Sequence, residues 1–167
     1  MRHTPSNVVK LTTLVVALAF AACSSSKKKT NENNVADTNA SDRALELNGS
    51  SDESTAGPLQ TIYFAFDSSR LTSSAREILA MNAAFLKSNT NIDIQVEGHA
   101  DERGGEQYNL ALGERRARSV KDYLVALGVD GRRVSIISYG KTTPLAFGHD
   151  EDAWGRNRRA NFVITAK

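Results

Sequence analysis

Residues 97 to 105 of the chain read Glu-Gly-His-Ala-Asp-Glu-Arg-Gly-Gly, and residues 108 to 117 read Tyr-Asn-Leu-Ala-Leu-Gly-Glu-Arg-Arg-Ala. The first run is typical of a strand end that passes into a tight polar loop, and the second is typical of the opening turns of a helix. Carboxylates, an imidazole, an amide and guanidinium groups are therefore concentrated at one strand-to-helix junction. The apolar segments on either side of it supply the scaffold.

Regular hydrophobic patterns on both sides of this junction predict one domain over residues 59–167. Apolar and polar residues alternate strictly over residues 92–97, which indicates a sheet that helices cover on one side only. In the first strand, Phe64 and Phe66 are predicted to share the inward face. In chain order, the predicted elements are a strand over residues 61–66, a helix over 74–87, a strand over 92–97, a helix over 106–127, a strand over 134–139, a short helix over 150–156 and a strand over 160–166. This β-α-β-α-β-(α)-β order predicts an α+β fold of two layers, with the helices on one face of a mixed sheet.

The composition sets broad limits on the class of protein. The 167 residues are 40% hydrophobic and 24% charged, as in ordinary soluble domains. The formal net charge of +2 gives no argument for a nucleic-acid partner. The single cysteine, Cys23, allows no intramolecular disulfide bond.

The first 22 residues have the pattern of an export signal. Arg2 and Lys10 precede an apolar run over residues 11–22, which is shorter than the ~20 residues of a membrane-spanning helix and fits the apolar region of a signal peptide. The run ends in Phe-Ala-Ala before Cys23 and resembles the bacterial lipobox, where the cysteine is acylated and the preceding peptide bond is cut. The alternative is an ordinary secretory signal followed by an incidental cysteine.

The resemblance to bacterial lipoproteins predicts where the chain resides. It implies a signal peptide over residues 1–22 and lipidation of Cys23. Because Ser24 rather than aspartate follows the cysteine, it favours an outer-membrane anchor with the domain facing the periplasm. Residues 23–58 are rich in Ser, Asn, Lys, Asp and Thr and poor in large apolar residues, so they are predicted to form a disordered tether behind the lipidated cysteine.

The junction also predicts a binding site. Asn109, Leu112 and Arg116 follow one another at spacings of three and four, so they share one stripe of the long helix. The stripe begins beside the loop that carries Asp101, and helix N-termini favour anions. Such a site suits a zwitterion, whose carboxylate would meet Arg116 and backbone N–H groups while its ammonium meets Asp101.

Each of these residues also has a simpler interpretation. Asp101 alone is a reasonable cap for the long helix. Arg116 lies among neighbouring arginines and is also compatible with a solvated helix face. Asn109 is compatible with a structural hydrogen bond, and Arg158 and Arg159 are interpreted as members of structural ion pairs.

The junction and four other motifs together resemble the OmpA-like C-terminal domain family, in the form carried by envelope lipoproteins. The four motifs are Tyr63-Phe64-Ala65-Phe66-Asp67, Ser138-Tyr139-Gly140-Lys141, Gly148-His149-Asp150 and Asn157-Arg158-Arg159-Ala160. The likeness covers the predicted domain from about residue 61 to residue 165. It is specific because several separate motifs occur in the same order.

The resemblance implies a non-covalent grip on the diaminopimelate of the peptidoglycan stem peptide. The paired aspartate and arginine of that family fall on Asp101 and Arg116, and its asparagine and leucine fall on Asn109 and Leu112. Three further residues are implied beside the same pocket, namely Phe66, Asp67 and His99, although His99 is slightly better interpreted as a structural histidine.

The same resemblance implies partners and a cellular role. The expected partners are peptidoglycan, the outer membrane through the lipid anchor, and the Tol system, whose component TolB binds over the same surface and should compete with the wall. The implied role is to tether the outer membrane to the wall, in support of envelope integrity and cell division. No cofactor or metal is implied.

Two rival functions remain open at this point. In a cell-wall hydrolase, residues 99–102 would supply metal ligands or an acid–base pair, but a catalytic zinc site usually needs three protein ligands and the only other histidine after Cys23 is His149, in another loop. The chain is therefore predicted not to be an enzyme. The second rival is a TolB docking platform in which wall binding is minor.

Overall fold

The computed structural model describes residues 45–167. The elements are β1 (Ile62–Tyr63), α1 (Ser73–Ser88), β2 (Asp93–His99), α2 (Glu106–Ala126), a 3-10 turn (Gly131–Arg133), β3 (Val134–Gly140), α3 (Glu151–Asn157) and β4 (Arg159–Ala166). Within this part of the chain, no helix combines the length and apolar character needed to cross a membrane. The predicted signal peptide and the lipidation site Cys23 lie outside the described residues.

The four strands form one mixed sheet in the order β1-β4-β2-β3. Strand β2 runs parallel to β3, and β4 is antiparallel to both β1 and β2. Ile94 and Val96 of β2 share a buried core with Leu79 of α1 and with Val120 and Leu124 of α2. The predicted α+β fold with a mixed sheet is confirmed.

The helix ends follow from local chemistry. Thr72 caps α1, because its hydroxyl accepts the Ala75 N–H at 3.1 Å. Gly105 occupies the cap position of α2 and offers no side-chain oxygen, so no side chain caps the first turn of α2. At the other end of α2, Gly128 adopts φ 91°, a left-handed conformation that suits glycine just past a helix.

Residues 45–56, which we name the strap, are ordered against the sheet. The Asn48 N–H donates to the Ile164 carbonyl at 2.9 Å, and the Ile164 N–H donates to the Gly49 carbonyl at 3.0 Å. Ala56 at the end of the strap is fully buried in the core. The prediction that residues 45–58 belong to a disordered tether is therefore wrong. The amino-acid composition of a segment does not show whether it forms hydrogen bonds with a distant strand.

The polar side chains of the strap find their partners on β4. The Arg159 guanidinium Nε lies 2.7 Å from Asp52 Oδ2, and both side chains are buried. The Asn161 carbonyl oxygen Oδ1 accepts the Ser50 and Ser51 hydroxyls at 3.0 and 2.8 Å. The same polar side chains that make the sequence of the strap resemble a solvated linker are therefore hydrogen-bonded or ion-paired within the fold.

Strand β1 is shorter than the sequence predicts. It has two residues, and the chain turns away from the sheet after Phe64, whose N–H still reaches the Arg158 carbonyl at 2.9 Å. Phe64 is buried as predicted, but Phe66 is 60% exposed, so the prediction that it faces inward is wrong. Asp67 follows with φ 49°, a left-handed turn conformation that aspartate tolerates better than most residues.

Helix α2 approaches β2 closely where two glycines face each other. A Cβ placed on Gly98 would lie 1.9 Å from the Gly113 carbonyl oxygen, so a side chain at this position forces backbone to move. We expect Gly98→Ala to destabilise the fold by about 1–3 kcal/mol, as overpacking usually does, in urea unfolding. Gly155→Ala is the control, because a Cβ there meets only Arg158 Nη2 at 3.6 Å. Equal stability of the two variants would contradict the close approach.

Candidate functional site

A cavity of about 160 Å³ opens where the loop after β1 meets the loop between β2 and α2 and the opening turns of α2. Its lining comprises Phe66, Asp67, Asp101, Arg103, Gly104, Tyr108, Asn109, Leu112 and Arg116. Six of the seven residues predicted for the binding site are therefore brought together. The exception is His99.

Asp101 is the buried acceptor of this pocket, with 4% of its surface exposed. Its Oδ2 accepts the Arg103 Nη2 at 2.7 Å and lies 3.4 Å from Arg158 Nη1. Burial by itself raises the pKa of Asp101, but hydrogen bonds from Arg103 and Arg158 outweigh that effect and hold the pKa below its usual value. The carboxylate is charged at neutral pH. It does not cap α2, since Gly105 holds the cap position.

Arg103 covers the acidic end of the pocket. Its guanidinium carbon lies 4.1 Å from the ring centre of Phe66 and 4.0 Å from that of Trp154, so the two rings sandwich the cation. The side chain remains 31% exposed. Sequence reasoning missed Arg103, although its position two residues after Asp101 in one loop was a usable signal.

Arg116 lies beneath the pocket. It is fully buried, and its guanidinium donates to the carbonyls of His99 at 2.7 Å, Ser68 at 2.9 Å and Ala65 at 3.2 Å. Burial lowers the pKa of Arg116 to about 10, so it keeps its charge at neutral pH. It forms no ion pair with Asp101, and because it is buried it is not a charge on a solvated helix face.

These contacts change the part that Arg116 plays in the predicted site. Three of its five N–H groups donate to backbone carbonyls, so one N–H on each of Nη1 and Nη2 remains for a ligand carboxylate. The cation also fixes the loop after β1 against the end of β2 and supplies positive charge at the pocket floor.

The opening turns of α2 form the rest of the wall. Asn109 is 2% exposed, and its amide Nδ2 donates to the Arg103 carbonyl at 2.9 Å, which fixes the loop that carries Asp101. Leu112 is buried one turn further on. The Tyr108 hydroxyl donates to the Asp67 carboxylate at the rim. The predicted stripe of α2 is thus present, with Asn109 bonded within the protein.

The His99 side chain lies away from the pocket. Its Nδ1 is 3.2 Å from the Thr143 hydroxyl, and its ring stacks on Tyr139 with 5.6 Å between ring centres. Only its backbone carbonyl reaches the site, as an acceptor for Arg116. Of the two interpretations left open by the sequence, the geometry matches the structural histidine.

The two arginines interpreted as structural have different surroundings. Arg159 pairs with Asp52 of the strap, as an ion-pair role predicts. Arg158 pairs with Asp101 and with Glu151 of α3, and its Nε donates to the Phe64 carbonyl at 3.0 Å. It therefore contacts the pocket carboxylate without lining the cavity itself.

A second set of polar contacts joins the loop of Asp101 to α3 and to the loop before it. Glu102 Oε1 accepts the Trp154 indole N–H at 2.8 Å and lies 2.7 Å from Nδ1 of the exposed His149. The hydrogen bond with Glu102 raises the pKa of His149 above its ordinary value.

We expect Glu102→Gln to lower the pKa of His149 toward its ordinary value, measured by NMR titration of the ring protons. A raised pKa in the folded state means that the contact stabilises the fold at low pH and that this contribution is lost as the pH rises through the folded pKa. Glu114→Gln is the control, because Glu114 pairs with Arg118 on α2. An unchanged His149 titration in Glu102→Gln would contradict the contact.

Across residues 45–167, no three or more His, Cys, Asp or Glu side chains are grouped so that they could hold a metal ion. His99 and His149 contact different carboxylates. The residues that a zinc hydrolase would use are therefore not assembled in this part of the chain.

Comparison with known proteins identifies the class to which this fold and site belong. The model of the OmpA family matches residues 63–158. The chain belongs to the OmpA family, which confirms the resemblance drawn from its motifs.

Its relatives include proteins named peptidoglycan-associated lipoprotein. The protein of that name from Mesorhizobium japonicum is 43% identical over 147 residues, covering 88% of this chain and 86% of the relative. The one from Pseudomonas aeruginosa is 42% identical and covers 90% and 93%. The crystal structure of the one from Burkholderia pseudomallei is 42% identical, covers 62% of this chain and 88% of that chain, and superposes with a TM-score of 0.61.

Proposed function

We propose that this chain is a non-catalytic outer-membrane lipoprotein that binds the diaminopimelate of peptidoglycan stem peptides and ties the membrane to the cell wall. The observation that carries the proposal is a buried carboxylate, Asp101, and a buried cation, Arg116, around one small pocket at an uncapped helix N-terminus. Relatives that share this fold carry the name peptidoglycan-associated lipoprotein. In this proposal Cys23 carries the acyl anchor and the domain faces the periplasm.

The free end of diaminopimelate has the charges that this pocket complements. Its ammonium takes the place of the Arg103 guanidinium at Asp101, and the displaced Arg103 then pairs with the neighbouring carboxylate of the ligand. The first N–H groups of α2 and the charge of Arg116 favour that carboxylate from the other side. At about 160 Å³ the cavity is smaller than the ~300–1,000 Å³ typical of sites for whole small molecules, so it takes one end of a larger ligand.

Because one small pocket buries little area, each contact with the wall is expected to be reversible. Firm attachment then comes from many anchored copies facing a repeating polymer. This arrangement would support envelope integrity during growth and cell division.

The rim of the pocket also favours a protein partner. Phe66 is 60% exposed and Tyr108 is 49% exposed, and exposed aromatic residues are enriched at protein interfaces. We propose that TolB, and through it the Tol system, docks over this rim and competes with the wall. A platform that mainly serves TolB is the second candidate function.

Co-sedimentation with purified sacculi tests the proposal. The full chain in mild detergent should pellet with sacculi, and a free stem peptide containing diaminopimelate should release it. A stem peptide with lysine in the same position lacks the distal carboxylate and is the matched control, so it should release the chain far less. Failure to pellet, or equal release by both peptides, would overturn the proposed ligand. If the chain stays in solution but binds TolB, the platform is the better function.

A further inference from the structure

A second cavity, of about 490 Å³, lies on the face of the sheet turned away from α1 and α2. We name it the outer-face cavity. Its floor is formed by Glu97 and His99 of β2 and Asn161 of β4, and its walls by the strap and residues 143–145. None of these residues lines the pocket around Asp101.

Glu97 places a carboxylate at the centre of this floor. Its Oε2 accepts the Asn161 amide Nδ2 at 2.9 Å, whereas its Oε1 accepts no hydrogen bond from residues 45–167. Burial by itself raises the pKa of Glu97, but the neighbouring His99 and Asn161 outweigh that effect and the pKa lies below its usual value. The floor therefore carries a negative charge at neutral pH, with one oxygen open to a donor.

His99 adds an unsatisfied polar group to the same floor. Its side chain is 3% exposed, and its Nε2 has no hydrogen-bond partner among the described residues, lying 3.8 Å from Glu97 Oε2. Buried polar groups normally find a partner, so an unpaired one calls for an explanation. Because His99 Nε2 is itself sealed from solvent, the group that is open to the cavity is the carboxylate of Glu97, with the imidazole beside it.

The charges around the cavity determine which ligands fit. Asp52 is paired with Arg159, whereas no Lys or Arg of residues 45–167 forms an ion pair with Glu97 on the floor or with Glu53 at the rim, and Glu97 has only His99 at 3.8 Å. A cation is therefore favoured. The described residues do not form a grouping that could hold a metal ion, but an ammonium needs only a few acceptors, and the ring of Tyr139 offers an aromatic wall beside them.

We propose that the outer-face cavity binds a primary ammonium group, with Glu97 as its counter-ion. The cavity is wide enough to take the alkyl chain that carries the ammonium, as in a free aliphatic diamine or the lysine side chain of a polypeptide. This site goes beyond the proposed wall binding and does not depend on it.

NMR titration of the full chain in detergent micelles tests this site. The probes are 1,5-diaminopentane and the peptide acetyl-Gly-Lys-Gly-amide. We expect saturable shifts of the backbone amides of Gln95, Asn161 and Val163. Glu97→Gln should weaken binding about tenfold or more, because the ammonium then loses a hydrogen bond to a charged group.

Two variants make the test specific. Glu114→Gln removes a carboxylate on α2 and should leave amine binding unchanged. Glu53→Gln removes only a rim charge, so it should weaken binding by less than Glu97→Gln and provides a second measure if Glu97→Gln does not fold.

The outcomes separate cleanly. The proposal would be overturned by shifts that do not saturate or by shifts confined to the Asp101 pocket. It would also be overturned if the Glu97→Gln and Glu53→Gln variants both bind like the parent. Tighter binding of the peptide than of the diamine would support a lysine side chain as the natural ligand. Tighter binding of the diamine would support a free amine.

Discussion

Asp101→Asn should reduce binding to sacculi by at least about tenfold. Asparagine has the same shape but no charge, so the ligand ammonium loses a charge-assisted hydrogen bond of about 1.5–3 kcal/mol. The loss is large because the acceptor is 4% exposed and lies in a small pocket. Binding is measured by co-sedimentation over a range of sacculus concentrations.

The same substitution removes the partner of Arg158, so folding must be checked. Circular dichroism and thermal unfolding serve this purpose, and Glu151 remains as a partner for Arg158. Asp122→Asn is the matched control, because Asp122 is an exposed acid on α2 outside the pocket. A folded Asp101→Asn chain that pellets as well as Asp122→Asn would place wall binding elsewhere on the molecule.

Asp52→Ala should lower the free energy of unfolding by about 3–5 kcal/mol, the usual effect of leaving one member of a buried ion pair alone. Arg159 is 4% exposed and its Nε lies 2.7 Å from Asp52 Oδ2. The substitution also removes the acceptor of the Thr61 hydroxyl, at 2.8 Å from Asp52 Oδ1. Urea unfolding of the full chain in detergent measures the change.

A double variant distinguishes the ion pair from simple packing. Asp52→Ala with Arg159→Met removes both charges and should recover part of the lost stability, because an apolar replacement of a buried pair is often close to neutral. Glu53→Ala, at the next position and exposed, should change stability by less than about 0.5 kcal/mol. An effect of Asp52→Ala no larger than that of Glu53→Ala would mean that the strap does not depend on this pair.

The scaffold was predictable from the sequence because its signals are local. Strict alternation gives β2, and the helical stripe that includes Val120 and Leu124 gives α2 with its start at residue 106. The strap was not predictable, since Asp52 and Ser51 find partners 107 and 110 residues away on β4. Ser, Asn and Asp in a loop look the same whether water or a distant strand satisfies them.

The sequence predicted which residues line the pocket better than it predicted the hydrogen bonds that they make. Motif and helical spacing brought Asp101, Asn109 and Leu112 to one place, as the fold has them. The contacts of Arg116 depend on where the carbonyls of the loop after β1 lie, which spacing does not reveal. The inward face predicted for Phe66 was wrong because β1 ends early, which leaves the ring free to stack on Arg103.

The strap has a mechanical consequence for the proposed tether. A pull from the anchor enters the described part of the chain at residue 45 and reaches β4 through the strap, while a wall ligand holds the molecule at the loop of Asp101 and the start of α2. The bonds between the strap and β4 therefore lie in series with the pocket and carry the same tension. If the strap peels from β4 under that tension, the tether lengthens by the residues of the strap while the pocket keeps its hold on the wall.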